Sequence, residues 1–244
     1  MINFFSILAL GFFLGMRHAT DPDHVVAVTT IVTRQRDIRK SALIGAFWGV
    51  GHTVTIFLVG GAIILFGVVI PPRVGLSMEL SVAFMLVLLG LMNIRSFLRF
   101  MPTDDHAHDH AHHHHSHSDA RALVRVDRLL GKTFLYQGLR PLMVGIVHGL
   151  AGSAAVALLV LATIRNAQWA VAYLLVFGLG TIAGMMLITM SIASTFRLAG
   201  SNPKFFRRLG MATGLLSLGF GLVVAWQICV TSGLLTAHPQ WTPH

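Results

Sequence analysis

Charge is what this chain lacks. Of 244 residues only 11% are Asp, Glu, Lys or Arg, while 55% are hydrophobic. A water-soluble domain carries roughly a quarter charged residues, and too few polar side chains remain here to cover a surface facing water. The solvent must be lipid. Cysteine is nearly missing as well. Cys229 stands alone, which excludes a disulfide framework, a CxxC redox pair and a cysteine-cluster metal site. There is no G-x-x-x-x-G-K-[ST] loop to hold a nucleoside triphosphate and no H-E-x-x-H pair to make a zinc protease. Any transport must therefore be secondary, and the common intramembrane enzyme chemistries lack their residues.

Apolar runs long enough to cross a bilayer, about 20 residues, lie at 2–32, 42–70, 78–98, 141–164, 169–195 and 209–232. No basic region precedes the first run and apolar sequence resumes after His24, which argues against a cleaved signal peptide. An even number of spans puts both termini on one side. Alternating the connections gathers Arg34, Arg36, Arg39 and Lys40 with Arg95, Arg99, Arg121, Arg125, Arg128, Lys132 and Arg140, and with Arg197, Lys204, Arg207 and Arg208. The opposite side receives only Arg73 and Arg165, and Arg17 lies within the first run. Basic residues collect in cytoplasmic loops. The expectation is a multi-pass protein of the cytoplasmic (inner) membrane, with both termini external and the 99–140 connection cytoplasmic. Topology accounts for the net charge of +9, so no nucleic acid need be invoked.

The two halves are weakly alike at an offset near 130. Gly15-Met16-Arg17-His18 aligns with Gly145-Ile146-Val147-His148, Val26-Ala27 with Val156-Ala157, Trp48-Gly49-Val50-Gly51 with Phe177-Gly178-Leu179-Gly180, and Leu89-Gly90 with Leu218-Gly219. Three spans per half is an odd number, so the second half enters from the opposite face. The predicted fold is all-α integral membrane: six transmembrane helices as two inverted three-helix repeats, with the first helix broken near Pro22. The chain then divides into a first repeat at 1–98, a cytoplasmic His-rich loop and basic amphipathic segment at 99–140, a second repeat at 141–232, and a short external tail at 233–244. Such architectures place their site near the midplane, where broken helices meet.

Polar groups that lipid should have excluded mark that site. An Asp, Lys or Arg at the bilayer centre costs about 2.5–3.5 kcal/mol on insertion scales. Yet the first run contains Arg17, His18, Asp21, Asp23 and His24, with apolar sequence on both sides. Such a concentration faces a cavity or the bundle interior. Pro22 removes a backbone donor and biases Asp21 away from the α region. In an unbroken helix His18, Asp21 and His24 share one arc and Asp23 does not; a break at Pro22 lets Asp23 turn inward. Imidazoles with carboxylates are borderline-hard ligands suited to divalent Ni, Co, Zn or Mn. His52, in Gly51-His52-Thr53, and more weakly His148, the repeat-mate of His18, lie within other spans. The predicted metal site is therefore His18, Asp21, Asp23, His24 and His52, with His148 as a weaker member. Eight of the 14 histidines, His106, His108, His110, His112, His113, His114, His115 and His117, crowd one polar stretch, which reads as a flexible metal buffer.

Arg17-His18-Ala19-Thr20-Asp21-Pro22-Asp23-His24 resembles the H-x-x-x-x-D-H signature of the nickel/cobalt transporter (NiCoT) family, and Gly51-His52-Thr53 resembles its second-helix G-H-[ST] motif. The Asp-Pro-Asp-His version and the compact layout look most like the urease-accessory-type nickel permeases. The resemblance implies a permease and no enzyme. It would move Ni²⁺ or Co²⁺ without a prosthetic group, use His18, Asp23, His24 and His52 as ligands, and supply a cytoplasmic metallochaperone or a urease or hydrogenase maturation system. Larger members carry an acid- and Thr-rich motif where this chain reads Val147-His148-Gly149-Leu150-Ala151-Gly152-Ser153. The Asp-Pro-Asp-His variant of the motif favours uptake, and a divalent cation entering down an interior-negative potential would need no coupling ion. Proton-coupled Ni/Co efflux is the alternative, ahead of a small organic solute exporter or a membrane protein that binds metal without moving it.

Overall fold

The computed structural model describes residues 3–33, 35, 37–66, 70–98, 134–150, 164, 166–199, 203–236 and 239–241. The described residues are helical, with no strand among them: α1 (Phe4–His18), α2 (Pro22–Val32), α3 (Ile38–Phe66), α4 (Pro72–Leu98), α5 (Phe134–Gly149), α6 (Ala167–Ala199) and α7 (Pro203–Trp226), the last continuing as a π-turn over Gln227–Thr231. Ile38–Ala62, Pro72–Leu98, Gln168–Leu198 and Lys204–Thr231 are long and apolar enough to cross a membrane, whereas α1 and α2 are short apolar helices. The histidine-rich stretch at 104–119 and most of the repeat-mate of α2, including Val156-Ala157, lie outside the described residues.

The first apolar run is two helices. α1 stops at His18, its last turn tightened by the Thr20 amide and hydroxyl, both donating to the Arg17 carbonyl. Asp21 is extended (ψ 144°), as a residue preceding proline prefers, and Pro22 opens α2 at N1, where a missing N–H costs nothing. Hydropathy placed the starts of α4 and α7 at 78 and 209, but the helices begin at Pro72 and Pro203. Proline again sits at the first position, and the helix runs on through polar flanks that hydropathy cannot count. α5 likewise begins at Phe134, ahead of the expected 141, and keeps Pro141 inside it.

Packing is inside-out relative to a soluble protein. Phe5, Leu58, Phe84, Leu187 and Trp226 are at least half exposed, the surface a lipid solvent would wet, while histidines and threonines are interior. α3 packs on α6 and α5, α1 on α6, and α4 on α7. Small residues let these backbones approach, and side-chain hydrogen bonds tie them. Asn93 donates to the Gly210 carbonyl (3.0 Å) and Thr213 Oγ1 (3.1 Å), and Ser217 Oγ donates to the Leu86 carbonyl (2.8 Å). Beyond the π-turn the chain reverses at Gly233 (φ 69°), and Trp241 Nε1 donates to Glu79 on α4 at 2.8 Å.

Candidate metal centre

The break between α1 and α2 concentrates four of the six expected site residues in seven positions. His18 ends α1, Asp21 holds the N-cap position of α2, and Asp23 and His24 lie in its first turn. α3 and α5 bring His52 and His148 to the same place. All six sequence-predicted residues converge, and His148, the weaker expectation, is fully integrated.

Asp23 joins two helices. Its Oδ1 lies 3.0 Å from His24 Nδ1 and its Oδ2 lies 2.8 Å from His148 Nε2. Asp21 makes no capping hydrogen bond for its own helix; its Oδ2 lies 2.8 Å from His18 Nδ1. His18 Nε2 is in turn 2.8 Å from His52 Nε2. Asp21 is the rim residue, with its side chain 37% exposed, against 21% for Asp23 and essentially none for His24 and His148. Among the described residues, the side-chain partners of these two aspartates are histidines, and Arg17 forms no ion pair with either. An Arg17–Asp21 packing pair is thus not what holds the cluster.

These contacts fix the protons of neutral imidazoles. A carboxylate can only accept, so His24 donates from Nδ1 and His148 from Nε2, both to Asp23. His18 donates from Nδ1 to Asp21, which leaves its Nε2 to accept from His52 Nε2–H. The second nitrogens, His24 Nε2, His52 Nδ1 and His148 Nδ1, are then bare lone pairs. Each is buried with no hydrogen-bond partner. Buried unpaired nitrogens are costly in an apolar interior, and a ring anchored through its other nitrogen to a carboxylate is how proteins present imidazole to a metal. Potential ligand atoms of His18, His24 and His52 lie within 4.8 Å of one another, as do those of Asp23, His24 and His148, so His24 belongs to both groups.

Two aromatic rings wall the cluster, and sequence reasoning used both only to align the repeats. Trp48 lies nearly parallel to His24 (6.2 Å between ring centres, 13°) and edge-on to His148 (5.7 Å). Phe177 is 5.6 Å from His18. The available signal was spacing: Trp48 precedes His52 by four residues, one turn along the same helix face.

Buried nitrogen and carboxylate groups gathered inside a bundle of apolar helices define a helical membrane protein with a candidate metal-ligand cluster in its interior. Comparison with known proteins gives the same class and narrows it. The family model described as high-affinity nickel-transport protein (NicO) matches residues 4–234, and the chain belongs to that family. It is 36% identical, over 236 residues and 96% of both chains, to a protein of Bacillus sp. (strain TB-90) called urease accessory protein UreH. No solved structure matches it. The chain is accordingly a membrane transport protein and not an enzyme.

Proposed function

We propose that His24, His52 and His148 hold a Ni²⁺ or Co²⁺ ion in transit, joined by His18 when the ion displaces its hydrogen bond from His52, with Asp23 and Asp21 orienting the rings and balancing the charge. The observation that carries this reading is the set of three buried imidazole nitrogens with no partner, each in a ring whose other nitrogen is anchored. Nitrogen donors of this softness suit nickel and cobalt. Two carboxylates make the cluster with a divalent ion neutral overall, which removes most of the penalty of a charge at membrane depth.

The cation moves inward across the cytoplasmic membrane. With interior-negative potential a divalent ion gains about 4.6 kcal/mol per 100 mV, twice the value for one charge, enough to concentrate it without a coupling ion. The bundle is two inverted three-helix repeats of a six-span protein, the fourth span beginning with α5. Paired contacts support this: α1 packs on α6 as α5 packs on α3, while α3–α6 and α4–α7 are their own mates. The caps pair too. Asp37 Oδ1 accepts from the Arg39 amide (2.9 Å) at the start of α3, and Asn166 Oδ1 accepts from the Gln168 amide (2.9 Å) at the start of α6. The asymmetry of basic residues puts 99–140 in the cytoplasm and both termini outside. The imported metal then serves a cytoplasmic urease or hydrogenase maturation system, in keeping with the name of the relative.

Radiolabelled nickel flux in right-side-out vesicles, with and without a pH gradient, tests the direction. Uptake should follow an interior-negative potential and ignore the pH gradient. Flux that needs an inward proton gradient and runs outward would replace uptake by exchange. His24→Ala and His148→Ala should abolish flux while leaving the amount of inserted protein unchanged; normal flux in either would remove the cluster from the path. Deleting 104–119, the histidine-rich buffer, should weaken affinity or regulation but spare translocation, measured as the rate at saturating nickel. Complete loss would place that stretch on the permeation route.

A further inference from the structure

We propose that Phe177 and Trp48 are the two gates of the metal centre, one aromatic ring closing each end of the bundle onto the histidines. The proposal rests on the reading of that cluster as the transport site. Its basis is the direction of the helices. Phe4 meets Trp169 at 5.2 Å, Gly11 faces Tyr173 and Gly15 faces Phe177, so α1 and α6 run parallel and start at one end. Gly138 faces Phe47, Gly145 faces Trp48 and Gly149 faces Thr55, so α5 and α3 are parallel as well. α3 and α6 run against each other, since Gly45 faces Met185, Gly49 faces Ile182 and Gly178 faces Thr53. The two parallel pairs therefore start at opposite ends of the bundle.

Phe177 stands at the level of Gly15, one turn before His18, with its ring 5.6 Å from that imidazole. Tyr173 stacks on its far side at 6.4 Å and joins Ile56 and Leu174 in an apolar plug. Trp48 stands at the level of Gly145, one turn before His148, and covers His148 and His24. Each ring thus lies on the starting side of its own helix pair, which is the opposite side for the other. Phe177 is 2% exposed and Trp48 0%, and the four imidazoles are at most 6% exposed. The imidazoles are thus covered on the Phe177 side and on the Trp48 side, and the exposed edge of the cluster is Asp21. Trp48 lies five residues from Thr53, which faces Gly178 beside Phe177, so roughly 7 Å of helix separates the two levels. That is room for one layer of imidazoles.

Neither ring offers a lone pair, so neither serves as a ligand. A hydrophobic constriction stops a hydrated ion, whereas a ring that swings aside, or presents its face, passes a partly dehydrated cation. Phe177 and Trp48 are repeat-mates at the aligned motif, so opening one and then the other gives alternating access with the cation held between them.

Sided release tests this. The full chain is reconstituted in oriented vesicles, loaded with radiolabelled Ni²⁺, and chased with an impermeant chelator on one face. Wild-type protein should release slowly to either face. Phe177→Ala should release roughly tenfold faster on the face where α1 starts, with no change on the other, and Trp48→Ala the reverse, the behaviour of independent gates. The double variant should pass nickel without saturation. Phe177→Leu and Trp48→Phe retain most of the packing and should show smaller accelerations on the same faces, so the test survives if an alanine variant does not fold. Acceleration on both faces alike, or on neither, in protein that elutes as a folded species overturns the gates. His24→Ala separates the two readings. Loss of bound nickel in that variant without any sided effect in the others condemns the gates alone, whereas full binding in it condemns the cluster.

Discussion

Asp23→Asn is expected to cut nickel accumulation between about tenfold and a hundredfold, the range seen when a carboxylate behind a metal-bound histidine is lost. The two side chains are the same size, so packing is unchanged. What changes is the number of acceptors. Asp23 accepts from His24 Nδ1 on one oxygen and His148 Nε2 on the other; asparagine can accept on only one. The histidine facing its NH₂ must accept instead, and its proton moves to the nitrogen that had been bare. One of the three unpartnered donors is thereby lost, along with one charge. Nickel bound per protein, measured by equilibrium dialysis beside cellular accumulation, should fall in parallel. Asp21→Asn should cost less, because Asp21 is half-exposed, holds only His18 and has water to replace it. Equal binding by Asp23→Asn and wild type would mean that the carboxylate is not what prepares the rings.

Much of this centre was legible because lipid makes polar residues conspicuous. His18, Asp21, Asp23 and His24 stand out in an apolar run, and Pro22 states where the helix must stop. The break is where backbone chemistry put it, since Asp21 adopts the extended conformation that the following proline favours. His148 was harder to read. Its own segment carries no acid, and its partner Asp23 is 125 positions away, so only tertiary packing could reveal the pairing. The same holds for the roles of the two aspartates. Sequence makes both candidate ligands, while the geometry leaves Asp21 at the rim and turns Asp23 toward two rings at once. Helix ends were misjudged where polar flanks continue the helix beyond the apolar layer, as Pro72 and Pro203 do for α4 and α7. Hydropathy reports depth in the membrane, and helices do not end at its edge.

The internal repeat proposed above pairs two close helix crossings. Gly15 and Gly145 are mates, and each lies against the main chain of the partner helix at a mated position: Gly15 at the Phe177 carbonyl and the Thr181 amide (2.8 Å from an added Cβ), Gly145 at the Trp48 carbonyl and the His52 amide (3.0 Å). Each also precedes its histidine, His18 or His148, by three residues. Each half thus has a close helix crossing one turn before an imidazole, while both aspartates of the cluster belong to the first half.

That crossing supplies the second large expected effect. Gly145→Ala should lower nickel transport at least about tenfold, because displacements near 1 Å in a positioned site have costs of that order or more. It should also destabilise the protein by about 1–3 kcal/mol, the usual cost of overpacking a close-packed interface. The new Cβ would strike the Trp48 carbonyl and stand 2.7 Å from Trp48 Cδ1. Neither neighbour can yield: the carbonyl is main chain, and the indole is fully buried against His24 and His148. α5 must therefore back away from α3, which draws His148 off Asp23, now 2.8 Å away. Gly61→Ala is the control. It lies on the same α3, nothing stands within 4 Å of its added Cβ, and alanine favours a helix by roughly 1 kcal/mol over glycine. It should transport normally and melt no lower than wild type. Thermal unfolding in detergent and nickel flux in vesicles, measured on both variants, decide the matter. A Gly145→Ala protein that transports and melts like Gly61→Ala would mean that the α3–α5 contact does not set the position of His148.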